Sequence, residues 1–89
     1  VKVPPNNLQA EQAVLGSILL HNDAFYDLPT GFSASDFYRV EHREVFTAIA
    51  GLVDAGKPAD VLTVSQALAN AEAKAQPDYV VSLSDVVPS

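Results

Sequence analysis

One apolar stripe constrains this chain more than any other feature. From Val40 onward, Val45, Phe46, Ile49, Leu52 and Val53 recur at i, i+1, i+4, i+7 and i+8. That spacing puts all five on one face of a helix. Asp36-Phe37-Tyr38 leads into it with two adjacent aromatics, and Gly56-Lys57-Pro58 follows it. Gly56 suits the left-handed position after a helix, and the proline prevents resumption. The stretch holds the densest run of large apolar residues, so the rest of the chain is expected to pack around this helix.

The chain has 89 residues, which makes one domain. Such a chain buries roughly 60–65% of its unfolded surface, enough for a modest core. Residues 1–6, with Pro4 and Pro5, read as extended. A helix from Leu8 to about Leu20, capped by Asn6 or Asn7, should bury Val14, Leu15, Ile18 and Leu19, with Glu11 one turn earlier. Gly16 inside that helix suggests close approach of a neighbouring helix. Asn22 or Asp23 should cap a short helix over residues 24–28, closed by Pro29-Thr30-Gly31. Ser33 to Asp36 supply caps for one turn carrying Phe37 and Tyr38.

Beyond Pro58, residues 59–62 read as extended. Thr63-Val64-Ser65-Gln66 matches a capping box opening a helix with Val64, Leu68 and Ala71 on one face. Residues 70–76 should be exposed and frayed, ended by Pro77-Asp78. In the last segment, residues 79, 80, 83, 86 and 87 share a helical face while its valines favour a strand. Helix is the better reading, because no second strand is available to pair with it. The expected fold is all-α, a compact bundle of about five to six helices.

Charge and motifs narrow the function. The formal net charge is −6, and the five basic residues, Lys2, Arg39, Arg43, Lys57 and Lys74, are scattered. Nucleic-acid binders concentrate such residues on one face, so direct DNA binding and binding to an anionic membrane are both disfavoured. There is no cysteine, hence no disulfide or thiolate metal site. The longest apolar run, Ile18-Leu19-Leu20, spans no bilayer, and the N-terminus has no signal-peptide core. All four glycines are isolated and Gly56-Lys57 precedes proline, so no phosphate-binding loop is present.

The remaining chemistry is thin. His21 and His42, with Asp23 or Glu44, could be imagined around zinc, but they lack the helical spacing that fixes two histidines on one face. His42 lies at the end of the apolar stripe, where a buried imidazole bonded to a carbonyl or carboxylate is the simpler reading. Asp36, Glu41 and Glu44 beside Arg39 and Arg43 read as surface ion pairs rather than an acid–base cluster. Serines 17, 33, 35, 65, 82 and 84 have no histidine at a motif spacing. Phe37 and Tyr38 read as core and rim anchors. No catalytic, cofactor-binding or metal residue is assigned.

The order of segments resembles the N-terminal domain of DnaB-type replicative DNA helicases. The matching stretches are Val3-Pro4-Pro5, the run Ala10-Glu11-Gln12-Ala13-Val14-Leu15-Gly16 through Leu20, and Asn22-Asp23-Ala24-Phe25. They continue with Asp36-Phe37-Tyr38, His42-Arg43 and Phe46, then Gly56-Lys57-Pro58-Ala59-Asp60 with Thr63-Val64 and Leu68, and finally Tyr79, Leu83 and Pro88-Ser89. Where the family usually has Gly-Gly before its tyrosine-containing helix, this chain has Gln76-Pro77-Asp78.

The resemblance implies an all-helical, non-catalytic domain of a larger cytoplasmic helicase. In that family it is followed by a helical hairpin, a linker and a RecA-like motor that uses ATP and magnesium. No cofactor is then expected in this domain. The implied partners are further copies of the chain, as dimers within a hexamer collar, and primase. Many family contacts involve the hairpin, so no partner-contact residue is transferred. Asp36 is implied as a cap, Phe37 and Phe46 as core, and His42 as a buried hydrogen-bonding group. Two other classes stay open: a small metal-dependent or hydrolytic enzyme, which a stoichiometric metal would reveal, and a helix-turn-helix DNA binder, which a salt-dependent shift assay would reveal.

Overall fold

The computed structural model describes residues 7–86. They form four α-helices, α1 (Leu8–Leu20), α2 (Val40–Asp54), α3 (Val61–Asn70) and α4 (Pro77–Val86). Two short 3-10 helices, Asn22–Asp27 and Ala34–Asp36, lie between α1 and α2. Helix α1 packs chiefly on α4 and α2 chiefly on α3, while α3 also meets α4 and α1 meets α2. Among the described residues there is no strand, and no helix is long and apolar enough to cross a membrane. The all-α expectation therefore holds. The expected extended segment 1–6, and the closing residues Val87, Pro88 and Ser89, lie outside the described residues.

The stripe on α2 does what its spacing requires. Val45, Phe46 and Ile49 are buried, and Leu52 and Val53 are half-buried against them. From α1 come Leu15, Ile18 and Leu19, with buried Gly16 beside them; Val14 is only half-buried. From α3 come Val64 and Leu68, and from α4 Val80 and Leu83. Phe37 closes the core from the lead-in, in contact with the rings of Phe32 and Phe46. Tyr38, beside it, is 60% exposed, as a rim residue should be.

Several termini differ from the sequence reading, each for a local reason. Asn7 caps α1, its side chain accepting from the Ala10 N–H at 3.0 Å. Neither Asn22 nor Asp23 caps the first 3-10 helix, whose N-cap is His21 with no side-chain bond. The Asn22 amide instead donates to the Ile18 and Ala59 carbonyls, each at 2.8 Å, and accepts from the Ala59 N–H at 2.9 Å. It thereby fastens the end of α1 to the α2–α3 connection. Asp36 acts as expected of a cap partner, its carboxylate accepting from the Ser33 N–H at 2.8 Å.

The capping box of α3 sits one turn before Thr63–Gln66. Asp60 is the cap: its carboxylate accepts from the Thr63 N–H, and the Thr63 hydroxyl accepts from the Asp60 N–H, both at 2.9 Å. An ionised carboxylate is the stronger acceptor, so residues 61 and 62 become helical rather than extended. Helix α3 stops at Asn70, which leaves Ala71 exposed rather than on the buried face.

Two helices end in the same motif. After α2, Lys57 N–H donates to Leu52 and Gly56 N–H to Val53, with Gly56 at φ +72°. After α3, Ala73 N–H donates to Leu68 and Glu72 N–H to Ala69, with Glu72 at φ +53°. Both are Schellman closures, the second with an ordinary residue in the left-handed position. The chain then returns inward and buries Ala75, so residues 70–76 are not a frayed tail. Pro77 does not merely interrupt a helix. It is the first residue of α4, where its missing N–H has no role to fill.

Candidate functional site

Among the described residues, the buried charged side chains meet at one place. Glu11 and His42 are both fully buried. Glu11 projects from the buried face of α1, one turn before Leu15, and His42 from the first turn of α2 one turn before Phe46. Their side chains meet, His42 Nδ1 lying 2.6 Å from Glu11 Oε1. The other ring nitrogen, Nε2, lies 2.6 Å from the Tyr79 hydroxyl of α4. The imidazole also stacks on the Tyr79 ring, with centroids 5.7 Å apart and planes at 21°. Three helices are thus tied through one imidazole.

The carboxylate of Glu11 has further donors. The Tyr38 N–H donates to Oε2 at 2.6 Å and the Arg39 N–H to Oε1 at 3.4 Å. A buried anion is tolerable only when it is surrounded in this way. The Asp36-Phe37-Tyr38 lead-in therefore serves two ends: Phe37 fills the core, and the backbone after it solvates Glu11. Arg43 holds that lead-in in place, donating from Nε to the Phe37 carbonyl at 2.7 Å and from Nη2 to the Tyr38 carbonyl at 3.1 Å.

Carboxylate, imidazole and hydroxyl in line are also the elements of a nucleophilic triad. Here the hydroxyl is a phenol packed under Arg39, whose guanidinium carbon is 5.1 Å from the ring centroid, and over His42. An open groove lies elsewhere on the domain. It has a volume of about 290 Å³ and runs between α2 and α3, lined by Val40, Glu44, Ala48, Ala67, Leu68 and Ala71 among others. None of Glu11, His42 and Tyr79 lines it. The arrangement is suited to holding helices together, and it presents no hydroxyl to a bound substrate in that groove.

The other sequence candidates separate. His21 is exposed at the end of α1, whereas His42 has both ring nitrogens engaged. Among the described residues no three of His, Asp and Glu gather as a metal site. The expected cluster of surface ion pairs is mostly something else. Only Arg39 and Glu41 pair, at 3.2 Å, and at i, i+2 rather than a helical spacing. Arg43 is taken by carbonyls. Glu44 accepts the Lys74 and Ala75 N–H groups, each at 2.9 Å, satisfying the backbone that leads into α4. A hydrogen bond from its own backbone N–H at the start of α2 outweighs desolvation and, with smaller help from Arg39, holds the Glu41 carboxyl below the usual carboxylate range.

Sequence reading reached His42 but not the partners that complete it. Glu11 carried a signal, since a carboxylate four and seven residues before Leu15 and Ile18 sits on a buried face and needs donors there. Tyr79 carried none beyond its place on the face of α4.

The profile of the DnaB-like helicase N terminal domain matches residues 3–89. The replicative DNA helicase DnaB of Treponema pallidum is 43% identical over 91 residues, which take in 99% of this chain and 21% of that protein. The replicative DNA helicase DnaC of Bacillus subtilis is 36% identical over 88 residues, 99% of this chain and 19% of that one. This chain spans about a fifth of the length of these relatives. The crystal structure of the N-terminal domain of DnaB helicase from Mycobacterium tuberculosis superposes with a TM-score of 0.88 at 38% identity, covering 98% of this chain and 64% of that one. Matched along nearly its whole length in both sequence and fold, this chain belongs to the DnaB-like helicase N-terminal domain family.

Proposed function

We propose that this domain is the non-catalytic assembly and protein-interaction part of a replicative DNA helicase in the cytoplasm. In that role it pairs with further copies in a hexamer collar and docks primase, coupling priming to unwinding. ATP and magnesium then belong to a motor elsewhere in the protein. The observation that carries this reading is the whole-chain likeness to proteins named replicative DNA helicases, of which it spans only about a fifth. Two features of the chain support it. Glu11, His42 and Tyr79 are engaged in joining helices, and the net charge of −6 disfavours direct contact with DNA.

Sedimentation over a wide concentration range tests the assembly half. The expected result is reversible dimerisation strengthening toward millimolar protein, with no ATP hydrolysis. A strictly monomeric chain that also ignores the cognate primase contradicts the proposal. A stoichiometric metal in the purified protein would favour an enzymatic reading instead.

A further inference from the structure

We propose that Gln12, Tyr79, His42 and Glu11 form a one-way chain of hydrogen bonds that latches α4 to α1 and α2, with His42 neutral and protonated on Nδ1. The direction follows from what each group can donate. An ionised carboxylate only accepts, so the contact of Glu11 with Nδ1 at 2.6 Å needs a proton on Nδ1. At the far end, the Gln12 amide nitrogen lies 3.4 Å from the Tyr79 oxygen and donates to it. The single phenolic proton then has Nε2, 2.6 Å away, as its acceptor, and Nε2 must be bare to receive it. In this arrangement every donor along the chain meets an acceptor.

A doubly protonated imidazole would need a different arrangement. Its Nε2–H would point at the phenol, whose own proton would then require the Gln12 amide to turn and present its oxygen. The charged groups around the cluster are Glu11 from α1, Arg39 stacked over Tyr79, and Glu41, which already pairs with Arg39. A second cation beside Arg39 would gain weakly from Glu41 and chiefly from Glu11. That carboxylate already receives the Tyr38 N–H at 2.6 Å.

The consequence is a conformational device. Helix α4 fully buries only Val80 and Leu83, and Tyr79 is its polar tie to the other helices. The direction of the bonds that dock α4 thus depends on where the proton of His42 sits. A bare Nε2 accepts the phenolic proton and lets the phenol accept from Gln12, whereas a proton on Nε2 reverses the first bond and turns the phenolic proton toward Gln12.

Long-range ¹H–¹⁵N correlation of the His42 ring in the native chain at neutral pH tests this directly. The expected pattern is a protonated Nδ1 and a bare Nε2. A proton on Nε2, with or without one on Nδ1, overturns the proposal. In Tyr79→Phe, which removes the phenol's bonds to His42 and Gln12, hydrogen exchange of α4 amides should speed up about tenfold and by more than that of the α2 amides. Unchanged α4 exchange would overturn the latch. If that variant does not fold, the ring measurement on the native chain still decides.

Discussion

His42 joins a buried carboxylate to a phenol, so its removal is costly in a specific way. His42→Ala leaves Glu11 buried with only backbone donors, and the expected loss is about 3–5 kcal/mol in urea unfolding, the range for stripping one partner from a buried charge. A loss below about 1 kcal/mol would mean that water reaches the site. Glu41 gives the contrasting case at the surface. Its folded carboxyl titrates below the unfolded one, chiefly through its own backbone N–H and then through Arg39. Its contribution is therefore present above the unfolded carboxylate range and is lost as pH falls through the lower folded value. Glu41→Gln should cost less than about 1 kcal/mol at neutral pH and nothing in acid, as measured by denaturation at both. The sequence made His42 legible as buried and hydrogen-bonded, because it continues the stripe of Val45 and Phe46. It did not reveal Tyr79 as the partner, because a contact across 37 residues leaves no local pattern.

Helix boundaries follow from caps, and caps are where sequence reading and structure diverged. Thr63–Gln66 and Asp60–Thr63 both match a box, and only the acceptor strength of Asp60 separates them. Asp60→Ala should lower stability by about 1 kcal/mol, visible as a melting shift of about 4–8 °C. The two Schellman closures predict opposite signs. Gly56→Ala forces a side chain to φ +72° and should destabilise by about 1 kcal/mol, whereas Glu72→Gly relieves φ +53° and should stabilise by about 0.5–1 kcal/mol. Parallel thermal melts of the two variants check both. Glu72 has no mark of a helix terminator, and Glu44, which satisfies the turn that follows, lies 30 and 31 residues from its partners. The end of α3 was thus invisible locally, while the C-terminal end of α2, written as Gly-Lys-Pro, was plain.

At the scale of the molecule, the 3.6-residue periodicity of α1, α2 and α4 was enough to give an all-helical bundle with the α2 stripe at its centre. Ile49, fully buried there, should cost about 2–5 kcal/mol when cut to alanine. Surface function is less legible. The large exposed apolar residues include Tyr26, Tyr38 and Leu62, and exposed apolar residues of this kind are ordinary on a folded surface. Family membership carries the functional reading where surface chemistry does not. The direct test of that reading is a titration of the ¹⁵N-labelled chain with the C-terminal domain of the cognate primase. Saturable shifts confined to one contiguous patch of exposed residues are expected, with the amides around Glu11, His42 and Val45 unmoved. An unperturbed spectrum at saturating primase would contradict it.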